Sequence, residues 1–193
     1  NSLLGLIQDV SKNVFVPMTV GGGIRSVHDA KMILRCGADK VAINTEAVRR
    51  PELIKELALA FGSQCVVLSI EAKKRDKNTW IAYTDNGREK SKYNVLEWAK
   101  LGTSLGAGEI LLTSVDNEGT EKGFDIELNK AVSEAVNVPV IASGGMGSLS
   151  DIASIHKNTK IEAISVASMI HYEKTDFTKI RLYSKENSIP IRV

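Results

Sequence analysis

The sequence is poor in the residues that usually mark a chemistry. Its 193 residues include two cysteines, three histidines, four prolines and 5% aromatics. Cys36 and Cys65 lie far apart and form no C-x-x-C pair, which fits two core thiols in a reduced compartment and not a disulfide framework. His28, His156 and His171 share no ligand spacing, and there is no zinc motif, P-loop or G-x-S-x-G, so no metal and no cofactor is expected. His28 and His156 fall on helix-like segments and read as surface residues, while His171 follows the last strand-like run. Charge of one sign is also missing: 25 basic and 23 acidic residues leave a formal charge of +2. That balance argues against nucleic acid as a partner, and Lys73-Lys74-Arg75 near Trp80 reads as a solvated loop. No apolar run reaches the length of a membrane span and no basic-then-apolar leader is visible. The expectation is a cytoplasmic protein without a membrane partner.

What is there is a repeat. Val16-Pro17-Met18-Thr19-Val20-Gly21-Gly22-Gly23-Ile24-Arg25-Ser26 is echoed by Val138-Pro139-Val140-Ile141-Ala142-Ser143-Gly144-Gly145-Met146-Gly147-Ser148. Pro17 and Pro139, Gly22 and Gly144, and Ser26 and Ser148 are each offset by 122 (139 − 17 = 122). Each copy is an apolar run of strand length, then glycines, then Ser-x-x-Asp opening a helical pattern (Ser26 to Asp29, Ser148 to Asp151), a capping-box signal. Glycines let backbone approach a ligand closely, and a helix start offers free N–H groups. The pattern therefore predicts a phosphate cradle, written twice.

Strand-like and helix-like runs alternate throughout. The chain opens on a helical pattern (Leu3, Leu4, Leu6, Ile7, Val10). A helix to Leu34 stops at Cys36-Gly37 and is followed by a strand from Lys40 to Asn44. Pro51 suits the first turn of a helix reaching Phe61, with Gly62 as its stop. Cys65 to Glu71 reads as a buried strand. Residues 72–92 break the rhythm, with turn signals at Asp76-Lys77-Asn78 and Asp85-Asn86-Gly87 around Trp80-Ile81-Ala82-Tyr83, and predict a β-hairpin inserted in a loop. Helix Val95 to Leu105, strand Glu109 to Ser114, helix Asp125 to Val136, strand Val138 to Ala142, a helix to about His156, strand Ile161 to Ala167 and helix Phe177 to Lys185 follow. These make six strand–helix units, hence a parallel sheet with right-handed crossovers. Because the offset spans four units, the expected fold is an α/β (β/α)8 TIM barrel of two similar halves. One domain then spans 1–193, with about the first two units, about 60 residues, preceding Asn1. A doubly wound open sheet also accounts for the alternation, but not for the half-length repeat.

In such barrels chemistry sits at the strand C-termini. Those positions here are Gly21-Gly22-Gly23, Asn44-Thr45, Glu71 to Lys73, Thr113 with Asp116-Asn117-Glu118-Gly119-Thr120, Ser143-Gly144-Gly145 and Ala167-Ser168. Small and hydroxyl-bearing residues dominate, and the two glycine turns fall in opposite halves, so a substrate phosphorylated at both ends is expected. Glu71 closes the apolar run Val66 to Ile70. If alternation holds, Ser69 and Glu71 point together into the mouth, where partial burial raises a carboxyl pKa and suits proton transfer.

Thr19 to Ile24, Gly37-Ala38-Asp39-Lys40-Val41-Ala42-Ile43-Asn44-Thr45, Phe61 to Gln64, Gly106 to Ser114 and Ile141 to Gly145 resemble the cyclase subunit of imidazole glycerol phosphate synthase, across the whole chain. Asn44-Thr45 and Leu112-Thr113-Ser114 favour the cyclase over its sister isomerase. The resemblance implies an ammonia-dependent lyase of histidine biosynthesis in the form of a two-half (β/α)8 barrel, paired with a glutaminase that docks on the N-terminal face. It acts on a bisphosphorylated ribulosyl-formimino ribonucleotide and releases imidazole glycerol phosphate and aminoimidazole carboxamide ribonucleotide. It also implies one phosphate site at Gly22, Gly23, Asn44 and Thr45, and another at Gly119, Gly144, Gly145, Ala167 and Ser168. Thr113, Glu118 and Ser143 fall within the same mouth. Lys40 and Glu109 match the ammonia gate, and Asp39 matches the glutaminase interface. Of the family's two catalytic aspartates, one lies on a first strand that is expected to precede Asn1, and the other falls on Glu71. Glu118 likewise replaces an aspartate. These changes leave two alternatives: a paralogous ammonia-channelling barrel of a sugar amidotransferase, and a non-catalytic barrel that activates a glutaminase.

Overall fold

The structure, a computed structural model, describes residues 3–191. The elements run α1 (Leu3–Ser11), β1 (Thr19–Gly21), α2 (Val27–Arg35), β2 (Lys40–Ile43), α3 (Thr45–Arg49), α4 (Glu52–Phe61) and β3 (Val66–Asp76). They continue with β4 (Thr79–Thr84), β5 (Glu89–Asn94), α5 (Val95–Ser104), β6 (Glu109–Ser114), α6 (Ile126–Ala135), β7 (Val140–Ser143), α7 (Ser150–Asn158), β8 (Ala163–Ser165), α8 (Ser168–His171) and α9 (Phe177–Glu186). Six strands lie in the order β1-β2-β3-β6-β7-β8, and each neighbouring pair is parallel. The architecture is a curled parallel sheet with alternating helices, as in a portion of a TIM barrel. Among the described residues no helix is long and apolar enough to cross a membrane.

Alternation within the strands separates two layers. On β3, Val66, Leu68, Ile70 and Ala72 join the core beneath the helices, while Ser69 and Glu71 face the other way and are half-buried. The same split places Val41 and Ile43 of β2, and Ile110 and Leu112 of β6, under the helices. Leu53, Ile54 and Leu57 of α4 and Trp98 of α5 are fully buried against them. Helix ends follow sequence cues: Ser26, Asn94, Asp125 and Asp176 each accept a backbone N–H from the first turn.

Four departures from the sequence reading have local causes. β3 runs five residues beyond Glu71, because residues 72–76 pair antiparallel with β4. Glu89–Asn94, charged enough to read as loop, is a strand because it pairs with β4, which makes the antiparallel extension three-stranded. Thr45–Arg49 and Ser168–His171 are single helical turns too short to show a period. Ser148 does not cap α7; its hydroxyl pairs with Ser150, and Asp151 Oδ2 instead accepts from Gly147 N (2.9 Å) and Ser148 N (2.8 Å). In the first copy Asp29 Oδ2 accepts from Arg25 N (3.0 Å). Half of the capping box thus survives at the same offset.

Trp80 fastens the extension to the barrel wall. It is 1% exposed, and its Nε1 donates to Asp125 Oδ2 (3.1 Å), the residue that caps α6. Trp80→Ala should therefore cost about 3–5 kcal/mol, read as a lower urea midpoint at unchanged slope.

Candidate active site

The parallel register brings all six strand C-termini to one rim. Glu71, Thr113, Ser143 and Ser165 occupy one row across β3, β6, β7 and β8. Thr113 is buried, and Ser143 is partly so. Beside this row a cavity of about 690 Å³ is lined by Gly21, Gly22, Gly23, Asn44, Thr45, Ser69 and Glu71, among others. Five sequence-predicted residues, Gly22, Gly23, Asn44, Thr45 and Glu71, therefore meet in one place.

Glu71 sits under the β4–β5 turn. Its Oε2 accepts from Gly87 N at 2.7 Å. Burial pushes its pKa above the usual glutamate range, and the anions Glu118 and Asp85 push it the same way; the Gly87 N–H and the Asn44 amide oppose them. The same turn is tied to β2 and α3: Asn44 Nδ2 donates to Tyr83 O (3.1 Å), and Asp85 N donates to Thr45 Oγ1 (3.3 Å). Asp85 and Asn86 complete the cavity wall.

The two glycine turns differ. Gly22 and Gly23 have φ of +102° and +70°, and a Cβ at either would meet nothing within 4 Å. Gly144 and Gly145, at +90° and +105°, are packed instead against the 114–123 loop. Gly123 N donates to Gly145 O (2.7 Å), and Asn117 Nδ2 donates to Gly123 O (2.8 Å). Neither Gly144 nor Gly145 lines the 690 Å³ cavity. Gly119, at the outer bend of that loop, is exposed and open on its Cβ side, and Glu118 is exposed beside it. Ala167 and Ser168 open α8 in the adjoining unit, and His171 is exposed at its end.

At the opposite end of the strands lies a different pair. Lys40 Nζ and Glu109 Oε2 are 2.7 Å apart, bridging β2 and β6 past β3, with side chains 31% and 16% exposed. Glu109 and Thr113 are four residues apart on β6, about 13 Å along the strand. Asp39 Oδ2 accepts from Met18 N (2.7 Å), joining the entry of β1 to that of β2.

Arg25 and Arg49 also border the cavity, and sequence reasoning passed over both. A signal existed for each: Arg25 follows the glycines directly, and Arg49 lies four residues after Thr45 on one helical face. Both bring positive charge beside the open glycine turn. The cavity thus combines bare backbone, hydroxyl and amide groups, Arg25 and Arg49, and three acids, Glu46, Glu71 and Asp85, of which Glu46 pairs with Arg49 at 3.9 Å and Glu71 has raised proton affinity. That set can hold an anion and move a proton within one ligand's length.

The raised pKa has a stability consequence. The folded state holds the Glu71 proton more tightly than the unfolded chain does, so stability falls as pH rises from the unfolded pKa through the folded one. Glu71→Gln removes that loss. Its Tm should exceed the wild-type value at neutral pH, and the gap should close under acid, in paired thermal melts.

Comparison with known proteins identifies the family. A family model described as "Histidine biosynthesis protein" matches residues 1–176. Imidazole glycerol phosphate synthase subunit HisF of Legionella pneumophila is 60% identical over 151 residues, covering 78% of this chain and 71% of that protein. The subunit of the same name from Hydrogenobaculum sp. (strain Y04AAS1) is 46% identical over 193 residues, covering 100% of this chain and 77% of that protein. The one from Clostridium beijerinckii is 48% identical over 189 residues, 97% of this chain and 75% of that protein. With the family matched over most of its length and identities this high, the chain belongs to the histidine biosynthesis protein family, among the cyclase subunits of imidazole glycerol phosphate synthase.

Proposed function

We propose that the chain performs the ammonia-dependent cyclase step of histidine biosynthesis, with Glu71 as one member of an acid/base pair. Ammonia adds to a ribulosyl-formimino aminoimidazole carboxamide ribonucleotide carrying two phosphates. The products are imidazole glycerol phosphate and aminoimidazole carboxamide ribonucleotide. The observation that carries this reading is the half-buried Glu71 carboxylate in one cavity with the open Gly22–Gly23 turn, Asn44 and Thr45. A phosphate held there leaves the rest of the substrate lying across the rim, over the Glu71–Thr113–Ser143 row. A carboxyl of raised proton affinity is suited to remove and return protons as the new ring closes.

The remaining assignments follow the same geometry. Gly119, Gly144, Gly145, Ala167 and Ser168 would take the second phosphate on the other half of the rim, with Glu118 between the two ends. Ammonia would enter from the opposite end past Lys40 and Glu109, supplied by a glutaminase seated on the face that carries Asp39. Passage through a barrel interior keeps the nucleophile unprotonated until it meets its acceptor.

The sheet also favours a single barrel domain of eight units, with the 72–92 hairpin on its rim. β1 and β8 each have one parallel neighbour among the described residues, and two further strand–helix units would join these edges. Beside β1, Leu3, Leu6, Phe15 and Val16 are 51%, 55%, 93% and 68% exposed, an apolar surface that such units would cover. One of them would supply the second acid.

Ammonium salt at alkaline pH should replace the glutaminase in an assay of the purified cyclase on the ribulosyl substrate. Glu71→Gln should lower kcat about 10²- to 10⁴-fold with little change in KM. Product absent at every pH, from a folded protein, would overturn the reading. The sugar-amidation alternative is favoured by glutamate at 71. It predicts no response to Glu71→Asp, whereas the cyclase reading predicts a gain in turnover.

A further inference from the structure

We propose that Gly87 is a positioning residue for this reaction: its backbone N–H, carried by the β4–β5 turn, fixes the direction in which the Glu71 carboxylate points. The inference rests on the reading of Glu71 as an acid/base group, and it adds a partner from a segment that reads in sequence as an ordinary turn. The contact is short, 2.7 Å from Gly87 N to Glu71 Oε2, and Gly87 is buried although Asp85, Asn86 and Arg88 around it are exposed.

Three features hold that donor in place. The turn is a left-handed run, with φ of +52° at Asp85, +56° at Asn86 and +73° at Gly87. It is tied at Tyr83 O to Asn44 and at Asp85 N to Thr45. Gly87 also packs on Val115, whose Cγ1 would lie 2.9 Å from a Cβ added there. A glutamate has three side-chain torsions, so without an outside partner its carboxylate would sample several positions across the mouth. The Gly87 N–H selects among them. The turn therefore joins the acid to Asn44 and Thr45, the residues assigned to the first phosphate, so that phosphate and proton-transfer group share one frame.

The anions that act on Glu71 are Glu118, from the loop after β6, and Asp85, from the turn itself; Asn44, at the end of β2, is neutral. The cations around it are Lys73, two residues on along β3 with Nζ 4.8 Å from the Tyr83 ring centre, and Arg25 and Arg49 on the border of the same cavity. Against the two anions, the Gly87 N–H favours the ionised carboxylate. Removing it should move the Glu71 titration upward.

Gly87→Ala places a side chain at positive φ and against Val115, which displaces the N–H. In protein with 13C-labelled glutamate carboxyls, the Glu71 midpoint should rise in this variant. Its acid limb of kcat should move to higher pH, with kcat down roughly ten- to a hundredfold and KM changed less than about twofold. An unmoved Glu71 midpoint in folded Gly87→Ala overturns the inference. A raised midpoint with an unmoved pH–rate limb supports the tether and overturns the reading of Glu71 as the reacting group. A second measurement needs no glycine variant. The Gly87 amide proton in wild-type protein should titrate with the Glu71 carboxyl and should lose that response in Glu71→Gln. A Gly87 amide that ignores the Glu71 titration also overturns the inference.

Discussion

β3 has to belong to two sheets at once, and the rest of the arrangement depends on it. Its first part is a parallel strand, with Val66–Leu68 paired to β2 on one side and Val67–Ala72 paired to β6 on the other. Its last residues turn to an antiparallel partner, β4, while β6 still pairs as far as Ala72. Glu71 stands at the join. The parallel part buries its stem beside Ser69, and the antiparallel part brings the β4–β5 turn back over its head. Here the chain's own extension supplies both the desolvation and the hydrogen bond that partly offsets it.

The interior of the arc has a polarity along its axis that pairwise contacts alone do not convey. One end carries a partly buried ion pair, Lys40 and Glu109, whose charges cancel locally. The other carries hydroxyls, an amide and carboxyls with no cation inside the row itself; the guanidinium groups of Arg25 and Arg49 stand at its margin. The residues in between are apolar: Val67 is buried, and Leu111 lines the floor of the cavity. Opposed ends of this kind follow from parallel strands, because every strand begins at one rim and ends at the other.

Much of this was legible in the residues. The strand–helix alternation, the 122-residue offset and the Gly37 and Gly62 helix stops are strong local signals, and β6 falls on the span Glu109–Ser114 that its apolar run indicated. Glu71 was legible as an acid closing an apolar strand, because alternation alone turns Ser69 and Glu71 to one face. Other features were hidden for identifiable reasons. β5 is charged and becomes a strand through its pairing with β4, a non-local fact. The single turns α3 and α8 are too short for an apolar period to repeat and reveal them. The Gly87 contact joins residues sixteen apart through a backbone N–H, and no side-chain pattern encodes a main-chain donor. Arg25 and Arg49 look like surface charges until the fold brings both to the border of one cavity.

The two glycine turns share one sequence motif but constrain their residues differently. At Gly22 and Gly23 only the backbone conformation disfavours side chains, since the space beyond is empty. An asparagine, which tolerates the left-handed region, could enter the Gly23 position and reach toward a bound group at modest cost. At Gly144 and Gly145 the neighbouring loop fills that space with its own backbone, so no residue larger than glycine fits whatever its conformational tolerance. Substitution is therefore sterically open at one end of the rim and closed at the other.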